Sequence, residues 1–312
     1  MSEIELACSD FDAALDLLRG AGLRLDCIYP ADEPYGAVLS KDGACVRLTS
    51  KPGAPAPISE LPPFEPAFVF TPAGGGSGVG RAGMLYRDLI PSRLGGRYIA
   101  SHISIREGGP VADWVHFHRI AVQALFVASG WVRVVYEDQG EPFVLSAGDL
   151  VLQPPGIRHQ VLESSPGLEV IEFAAPALHA TFADHEMSLP NGAVNAGRDF
   201  SGQHFLRHVA KETPWTAFHG VEAKESGLAL ATGGIADARV IRPGDASTID
   251  FAAHDGELVF GFVLEGSAEL THGGSRQIGP ADAFVIPPTD NWSLREMAGD
   301  FRLLRVTTSR LG

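Results

Sequence analysis

Long apolar runs and excess positive charge are both missing from this 312-residue sequence. The densest apolar run, residues 258–264, is seven residues long, whereas a membrane-spanning helix needs about 20. Lysine and arginine total 24 against 38 aspartate and glutamate residues, which gives a formal net charge of −14. Nucleic acids and anionic bilayers repel a surface this acidic. We therefore expect neither a nucleic acid nor a membrane among the partners.

Cysteine is also scarce. Cys8, Cys27 and Cys45 are odd in number and have no CxxC spacing, so a disulfide framework or a zinc ribbon is not expected. Residues 1–12 lack a basic stretch followed by an apolar core, which argues against a secretory signal. The expected compartment is the cytoplasm.

The first 50 residues are predicted to form a small α/β module. Ser9 is a candidate N-cap for a helix with Phe11 and Leu15 on its apolar face, and Gly20 is a candidate stop. Two further short strands are predicted to join at the Asp42-Gly43 turn. This order of elements resembles half of a glyoxalase/bleomycin-resistance module. The resemblance implies a structural or dimerisation element and is consistent with a homodimer.

Residues 51–94 are predicted to be a linker and lead-in, because their prolines hinder helix formation and residues 74–78 are almost all glycine. Gly78, Gly80 and Gly83 formally match the dinucleotide fingerprint. That fingerprint requires a following helix, and no apolar helical stripe precedes Pro91. We therefore expect a mobile linker here and no nucleotide cofactor.

The rest of the chain has the pattern of an all-β protein, with short apolar runs separated by Gly, Pro and Asp. Predicted strands include 98–105, 125–127, 131–136, 150–153 and 168–173 in a first region, and 258–264, 267–270, 283–286 and 303–307 in a second. These regions, 95–175 and 227–312, are predicted to be two barrels. The connecting residues 176–226 have a less regular pattern.

One segment of the first region carries the chemistry. His116 and His118 are two residues apart, so on a strand both side chains point to the same face. Pro154 and Gly156 are typical of a tight turn, and His159 follows that turn. If the face is the inside of a barrel, the three imidazoles converge.

These residues resemble the two motifs of the cupin superfamily. Four residues separate His118 from Gln123, and Gly148, Pro154, Gly156 and His159 match the second motif at every spacing. Three departures occur. Six residues rather than five separate Gly109 from His116. Gln123 stands where the family has Glu, and Glu163 stands where it has Asn. The resemblance implies a mainly β protein with two cupin-type jelly-roll barrels.

The resemblance further implies one divalent transition metal, Fe, Ni, Mn or Zn, held by His116, His118 and His159, with Gln123 as a weaker fourth ligand. Three other residues are candidates for catalysis, each with a structural alternative. Arg158 faces an anionic group or is solvated, Glu163 orients an imidazole or lies on the surface, and His102 points inward or packs. His179 and His185 are interpreted as incidental.

The second barrel is predicted to be degenerate. Aligning Gly266 with Gly130 and Pro287-Pro288 with Pro154-Pro155 places His254 at the position of His118. Ala252, Val259 and Trp292 then replace His116, Gln123 and His159. One remaining imidazole does not hold a metal, so we expect a bicupin with a single metal site.

Three functions remain open, because the fold alone does not select a reaction. The first is a metal-dependent dioxygenase acting on a small oxygenated compound, which the two-barrel arrangement favours. The second is a non-redox lyase, isomerase or hydrolyase on a sugar acid or keto-enol substrate, with the metal as Lewis acid, which Gln123 favours. The third is a binding protein without turnover. All three imply a small-molecule ligand.

Overall fold

A computed structural model describes residues 3–58 and 60–311. Residues 1–2, 59 and 312, which belong to the predicted N-terminal module, linker and second barrel, lie outside the described residues. The chain is mainly β, as predicted, and its strands form two barrels. Within the described ranges, the helices are too short to cross a bilayer.

The N-terminal module contains the predicted helix and its strands. Its elements are β1 (Glu3–Ala7), α1 (Phe11–Gly20), β2 (Arg24–Tyr29), β3 (Gly36–Lys41) and β4 (Ala44–Thr49). The N-cap prediction was wrong by one residue: Asp10, not Ser9, accepts a hydrogen bond from the Ala13 amide, at 3.0 Å. The helix ends at Gly20, as predicted, but the left-handed residue after its end is Gly22 and not Gly20 itself.

The segment that follows, up to residue 183, carries thirteen further strands, and Arg81–Gly83 forms a short 3₁₀ turn. The strands are β5 (Val69–Thr71), β6 (Gly78–Val79), β7 (Leu85–Asp88), β8 (Ile99–Ile105), β9 (Gly109–Pro110), β10 (His116–His118), β11 (Val122–Ser129), β12 (Trp131–Tyr136), β13 (Phe143–Ser146), β14 (Leu150–Leu152), β15 (His159–Ser164), β16 (Leu168–Ala175) and β17 (Thr181–Ala183).

The remaining strands form the second barrel and the connection to it. They are β18 (Asp199–Phe200), β19 (Gln203–His204), β20 (Leu206–His208), β21 (Thr216–Phe218), β22 (Val221–Glu225), β23 (Ala236–Arg242), β24 (Ile249–Phe251), β25 (Val259–Glu265), β26 (Ala268–Thr271), β27 (Ser275–Ile278), β28 (Ala283–Ile286), β29 (Trp292–Arg295) and β30 (Arg302–Thr308). A 3₁₀ turn covers Ala210–Glu212, and α2 covers Leu228–Ala231. Each strand predicted from the sequence coincides with one of these to within a few residues.

The larger sheets of the two barrels have the same strand order. In the first barrel the order is β20-β14-β11-β16-β8-β7-β6, and in the second it is β5-β28-β25-β30-β23-β22-β21. The first strand in each order comes from a distant part of the chain. Strand β20, in the sheet of the first barrel, lies in the segment before the second barrel, and β5, in the sheet of the second barrel, lies in the segment before the first. Thus β5 pairs with β28 and β20 pairs with β14, so the two barrels exchange one edge strand each.

The smaller sheets also correspond, with β24-β29-β26-β27 matching β10-β15-β12-β13. In the first barrel this sheet continues from the histidine strand β10 through β17 into β2, so the strands of the N-terminal module extend the sheet and are separated from β10 by β17 alone. The register pairs Phe182 with Cys27 and Phe117.

Apolar side chains from the outer faces of both larger sheets form a common core between the barrels. It includes Phe126 and Phe173 from the first barrel and Phe260 and Phe262 from the second, all buried. Arg97 forms a buried ion pair with Glu257 across this boundary, at 2.8 Å from Nε to Oε2. Separate clusters fill the inside of each barrel. On the strands that contribute to this shared core, every second side chain belongs to it. The side chains between them lie on the other face and therefore point into a barrel.

Candidate metal centre

Three buried imidazoles meet inside the first barrel. His116 and His118 lie on β10, and His159 begins β15 directly opposite His116. One ring nitrogen from each residue lies within 4.8 Å of the other two. The structure thus brings together the three histidines that the motif spacing predicts.

Main-chain carbonyls fix the orientation of all three rings. Nδ1 of His116 is 2.7 Å from the Trp114 carbonyl, Nδ1 of His118 is 3.2 Å from that of Ala180, and Nδ1 of His159 is 3.1 Å from that of Ile157. If Nδ1 donates its proton in each case, the Nε2 lone pairs remain free. This is the arrangement in which imidazoles ligate metals, with the second nitrogen held by a neighbouring acceptor.

Burial also keeps these imidazoles neutral. Desolvation lowers the pKa of His159 to about 4, and it lowers the pKa values of His116 and His118 well below the ordinary range. Neighbouring rings act in the same direction, since His159 lowers the pKa of His116 and His179 lowers that of His118. Three neutral imidazoles are a donor set that suits a divalent first-row metal.

Gln123 is held by a carboxylate that the sequence analysis did not single out. Leu125 and Val127 on β11 line the inside of the barrel. Gln123 is two residues before Leu125 on the same strand, so it lies on the same face and also points inward. Its Nε2 donates to Oε1 of Glu172 at 2.6 Å, and no group among the described residues forms a hydrogen bond with its buried Oε1. Glu172 can only accept when ionised, which fixes the amide and leaves Oε1 available to a cation.

A buried arginine approaches the cluster from the segment before the barrel. Nη2 of Arg81 lies 3.2 Å from Nε2 of His116, and Nη1 forms an ion pair with the fully buried Asp113. Asp113 in turn accepts from the Val161 amide at 2.9 Å. A cation bound at Nε2 of His116 would displace the Arg81 contact. The guanidinium would then be beside the metal, where it can bind an anionic group.

An aromatic ring and a cavity adjoin the cluster. The Tyr136 ring stacks on His159 with centroids 5.5 Å apart, and its hydroxyl accepts from Nε2 of Gln153 at 2.8 Å. A cavity of about 70 Å³, lined mainly by apolar residues such as Met84, Leu125 and Val161, lies inside the same barrel. The site therefore has a polar layer with an apolar interior next to it.

The three candidate catalytic residues do not join the imidazoles. Arg158 pairs with Asp184 at 2.8 Å and stacks on Phe117, which points away from the face shared by His116 and His118. Glu163 lies four residues beyond His159 on β15, which is about 13 Å along a strand. His102 contacts Arg87, Glu169 and the Phe262 ring at the boundary between the barrels.

His179 and His185 have different positions. The His179 ring lies 5.2 Å from that of His118, and its Nδ1 is 2.9 Å from the Pro176 carbonyl. It is therefore a neighbour of the cluster and not incidental. His185 contacts the Leu25 carbonyl of the N-terminal module at 2.7 Å.

The second barrel has apolar residues at the corresponding positions. Trp292 takes the place of His159 at the start of β29, and Val259 takes that of Gln123. The predicted register needs one correction: Phe251, not Ala252, is opposite Trp292 and so occupies the position of His116. Val259 is eight positions after Phe251, whereas Gln123 is seven positions after His116, so His254 lies one residue past the position of His118 and beyond the end of β24.

No protein-family model and no curated protein matches this sequence. Solved structures do match the fold. The Ylba protein of E. coli is 12% identical with a TM-score of 0.60, and the match covers 83% of this chain and 96% of that one. Oxalate decarboxylase from Bacillus subtilis is 11% identical with a TM-score of 0.56, over 83% of this chain and 78% of that one. Identities this low establish a shared fold and nothing about the reaction.

Proposed function

Because this chain has the two-barrel fold of the cupins, with an imidazole cluster in its first barrel, we propose that this barrel is a metal-dependent enzyme site. The proposed ligands are His116, His118, His159 and Oε1 of Gln123. The proposed reaction is a dioxygenase-type oxidation of a small oxygenated organic compound. The observation that supports the proposal is the convergence of three neutral imidazoles, each held through Nδ1 by a main-chain carbonyl.

A bound divalent metal would supply Lewis acidity and open positions for substrate and oxygen. The protein's own residues then have separate tasks. Arg81 holds an anionic oxygen of the substrate beside His116, and Asp113 fixes the position of that guanidinium. Glu172 holds the Gln123 amide so that its oxygen faces inward. The apolar interior excludes water and accepts the carbon part of a small substrate.

The test is to measure metal content and oxygen consumption on the same preparation. Purified protein is analysed for bound metals by mass spectrometry and then mixed with catechols and diketones in an oxygen electrode. We expect about one metal ion per chain and oxygen uptake that depends on the substrate. Metal-loaded protein that consumes no oxygen with any member of the panel would contradict the dioxygenase assignment.

A second candidate is non-redox chemistry on a small acid, in which the metal polarises a carbonyl or carboxylate. Two observations favour it: a neutral amide replaces the usual carboxylate ligand, so the metal keeps its full charge, and Arg81 adds a cation suited to a substrate carboxylate. Oxalate decarboxylase, which shares the fold, is named for the loss of carbon dioxide from such an acid. Turnover of uronates or oxalate under nitrogen would select this candidate, and metal binding without turnover would select a binding protein.

A further inference from the structure

The inside of the second barrel contains an arginine at the position of Glu172. In the first barrel Glu172 is paired with Leu125, and in the second Arg305 is paired with Gly261, which corresponds to Leu125 in the matched strand order. The neighbours Leu304 and Val306 belong to the core between the barrels, and Leu303 belongs to the interior cluster. Arg305 therefore points into the second barrel, at the end that corresponds to the imidazole cluster.

Arg305 has no counter-ion among residues 3–58 and 60–311. Its Nε is buried without a hydrogen-bond partner, and burial lowers its pKa to about 10. Arg239, directly opposite on β23, differs: it forms ion pairs with both Asp237 and Glu225 at 2.7 Å. Arg305 is half-buried, and a guanidinium in this position without a carboxylate partner can pair with an anion supplied by a ligand.

A second unsatisfied nitrogen lies in the loop that follows β24. Within the described residues, Nε2 of His254 is buried without a hydrogen-bond partner. Desolvation by burial lowers the pKa of His254, and the positive charge of Arg305 acts in the same direction.

Aromatic rings lie beside Arg305. The Arg305 guanidinium lies 5.3 Å from the centre of the Phe251 ring, and Phe251 stacks on Trp292 at 4.0 Å with an interplanar angle of 12°. Phe218 from β21 lies 6.4 Å from Phe251. A pocket of about 440 Å³ opens beside Phe251 and Trp292, with His272 on its wall. The pocket provides a route from solvent to the flat aromatic surface.

We propose that the second barrel is a binding site for a small organic anion with a flat apolar part, of which an aromatic carboxylate is the simplest form. Arg305 pairs with the carboxylate through its planar fork of donors. The ring of the ligand packs against Phe251 and Trp292. This site needs no metal and is independent of the enzyme activity proposed for the first barrel.

The test is calorimetric titration of the full chain with benzoate at neutral pH. Acetate lacks the ring and benzamide lacks the charge, so both should bind at least about tenfold more weakly. Arg305→Met should weaken benzoate binding by at least about tenfold, since a hydrogen-bonded charge pair is lost. Its unfolding temperature should change little, because the charge removed has no carboxylate partner among the described residues. Arg302→Met, on the same strand, is the matched control and should bind benzoate normally.

A second variant tests whether the first barrel contributes to benzoate binding. His118→Ala, which disrupts the imidazole cluster, should keep benzoate binding unchanged, whether or not the first barrel is an enzyme. Arg305→Lys retains the charge but loses the planar fork, and it should bind with intermediate affinity. The proposal is overturned if the wild-type protein does not bind benzoate, if Arg305→Met binds it as well as wild type does, or if binding disappears in His118→Ala.

Discussion

The two barrels have the same strand order but opposite chemistry in one layer of side chains. In the first barrel that layer contains His116, His159 and Glu172, which are hydrogen-bonded or held by main-chain groups. In the second it contains Phe251, Trp292 and Arg305, in which the rings stack on each other and the cation lies over a ring. The strand framework therefore does not depend on the chemistry of this layer, and function is set by a few inward-facing residues.

The largest expected effect concerns metal content. His118→Ala removes one of three converging imidazoles, and His254→Ala removes the histidine that the sequence alignment placed at the position of His118 in the second barrel. We expect His118→Ala to lose stoichiometric metal after gel filtration, because two imidazoles and an amide bind divalent ions poorly. His254→Ala should retain about one ion per chain. Mass spectrometry measures the metal content of both proteins. A loss of metal in His254→Ala would mean that the second barrel also contributes to metal binding.

The next effect concerns stability and pH in the metal-free protein. The folded pKa of His159 is about 4 against 6.5 for an ordinary histidine, so between these values the unfolded chain binds more protons than the folded chain. Stability should therefore be greatest above pH 6.5 and decrease as the pH falls towards 4, by about 3 kcal/mol from His159 alone. His116 and His118 shift in the same direction. Phe251 and Trp292 contribute nothing of this kind because they do not titrate.

Urea unfolding of the metal-free protein between pH 7.5 and 4.5 measures this effect. The matched control is His159→Gln, which is polar but does not titrate, and its stability should decrease less over the same interval. A wild-type stability that is constant with pH would contradict the assignment of a neutral, buried His159.

The smallest expected effect concerns the residue that differs in charge between the barrels. Glu172→Gln keeps the size of the side chain but removes the charge that fixes the Gln123 amide. We expect metal affinity to fall by about tenfold, the lower end of the range for residues that orient ligands. Competition with a chromophoric chelator measures it. Glu169→Gln, on the same strand but partly exposed, should have wild-type affinity.

Much of the fold could be predicted because its cues are local. The alternation of apolar residues predicted β12 and β28 at their observed bounds. The His-x-His spacing and the turn at Pro154 and Gly156 predicted the imidazole cluster, since a period-two pattern on one strand and a tight turn before another determine which side chains meet. Edge strands such as β5 and β20 were not foreseen, because each has only three residues and depends on a distant partner. The partner of β5 is more than 200 residues away, and that of β20 is more than 50 residues away.

The polar neighbours of the cluster were missed for a similar reason. Arg81 lies in a segment interpreted as a linker, and only tertiary structure brings it to His116. Glu172 did leave a signal, because a carboxylate at an inward position of the apolar strand 168–173 needs a partner. Asp113 left a weaker one, as an acidic residue three positions before His116. The register of His254 was wrong because sequence spacing does not reveal one extra residue in a loop.

The exchanged strands have a consequence for how the chain unfolds. If the chain is cut between β5 and β28 and the fragments separate, β28 loses β5, its neighbour at the edge of the sheet. A cut between β14 and β20 likewise exposes the edge of β14. Bare edges pair readily with other chains, so isolated halves would aggregate and the intact protein would melt cooperatively in a single transition. The second barrel lacks the imidazole cluster, but the first barrel, which contains the cluster, depends on it for stability.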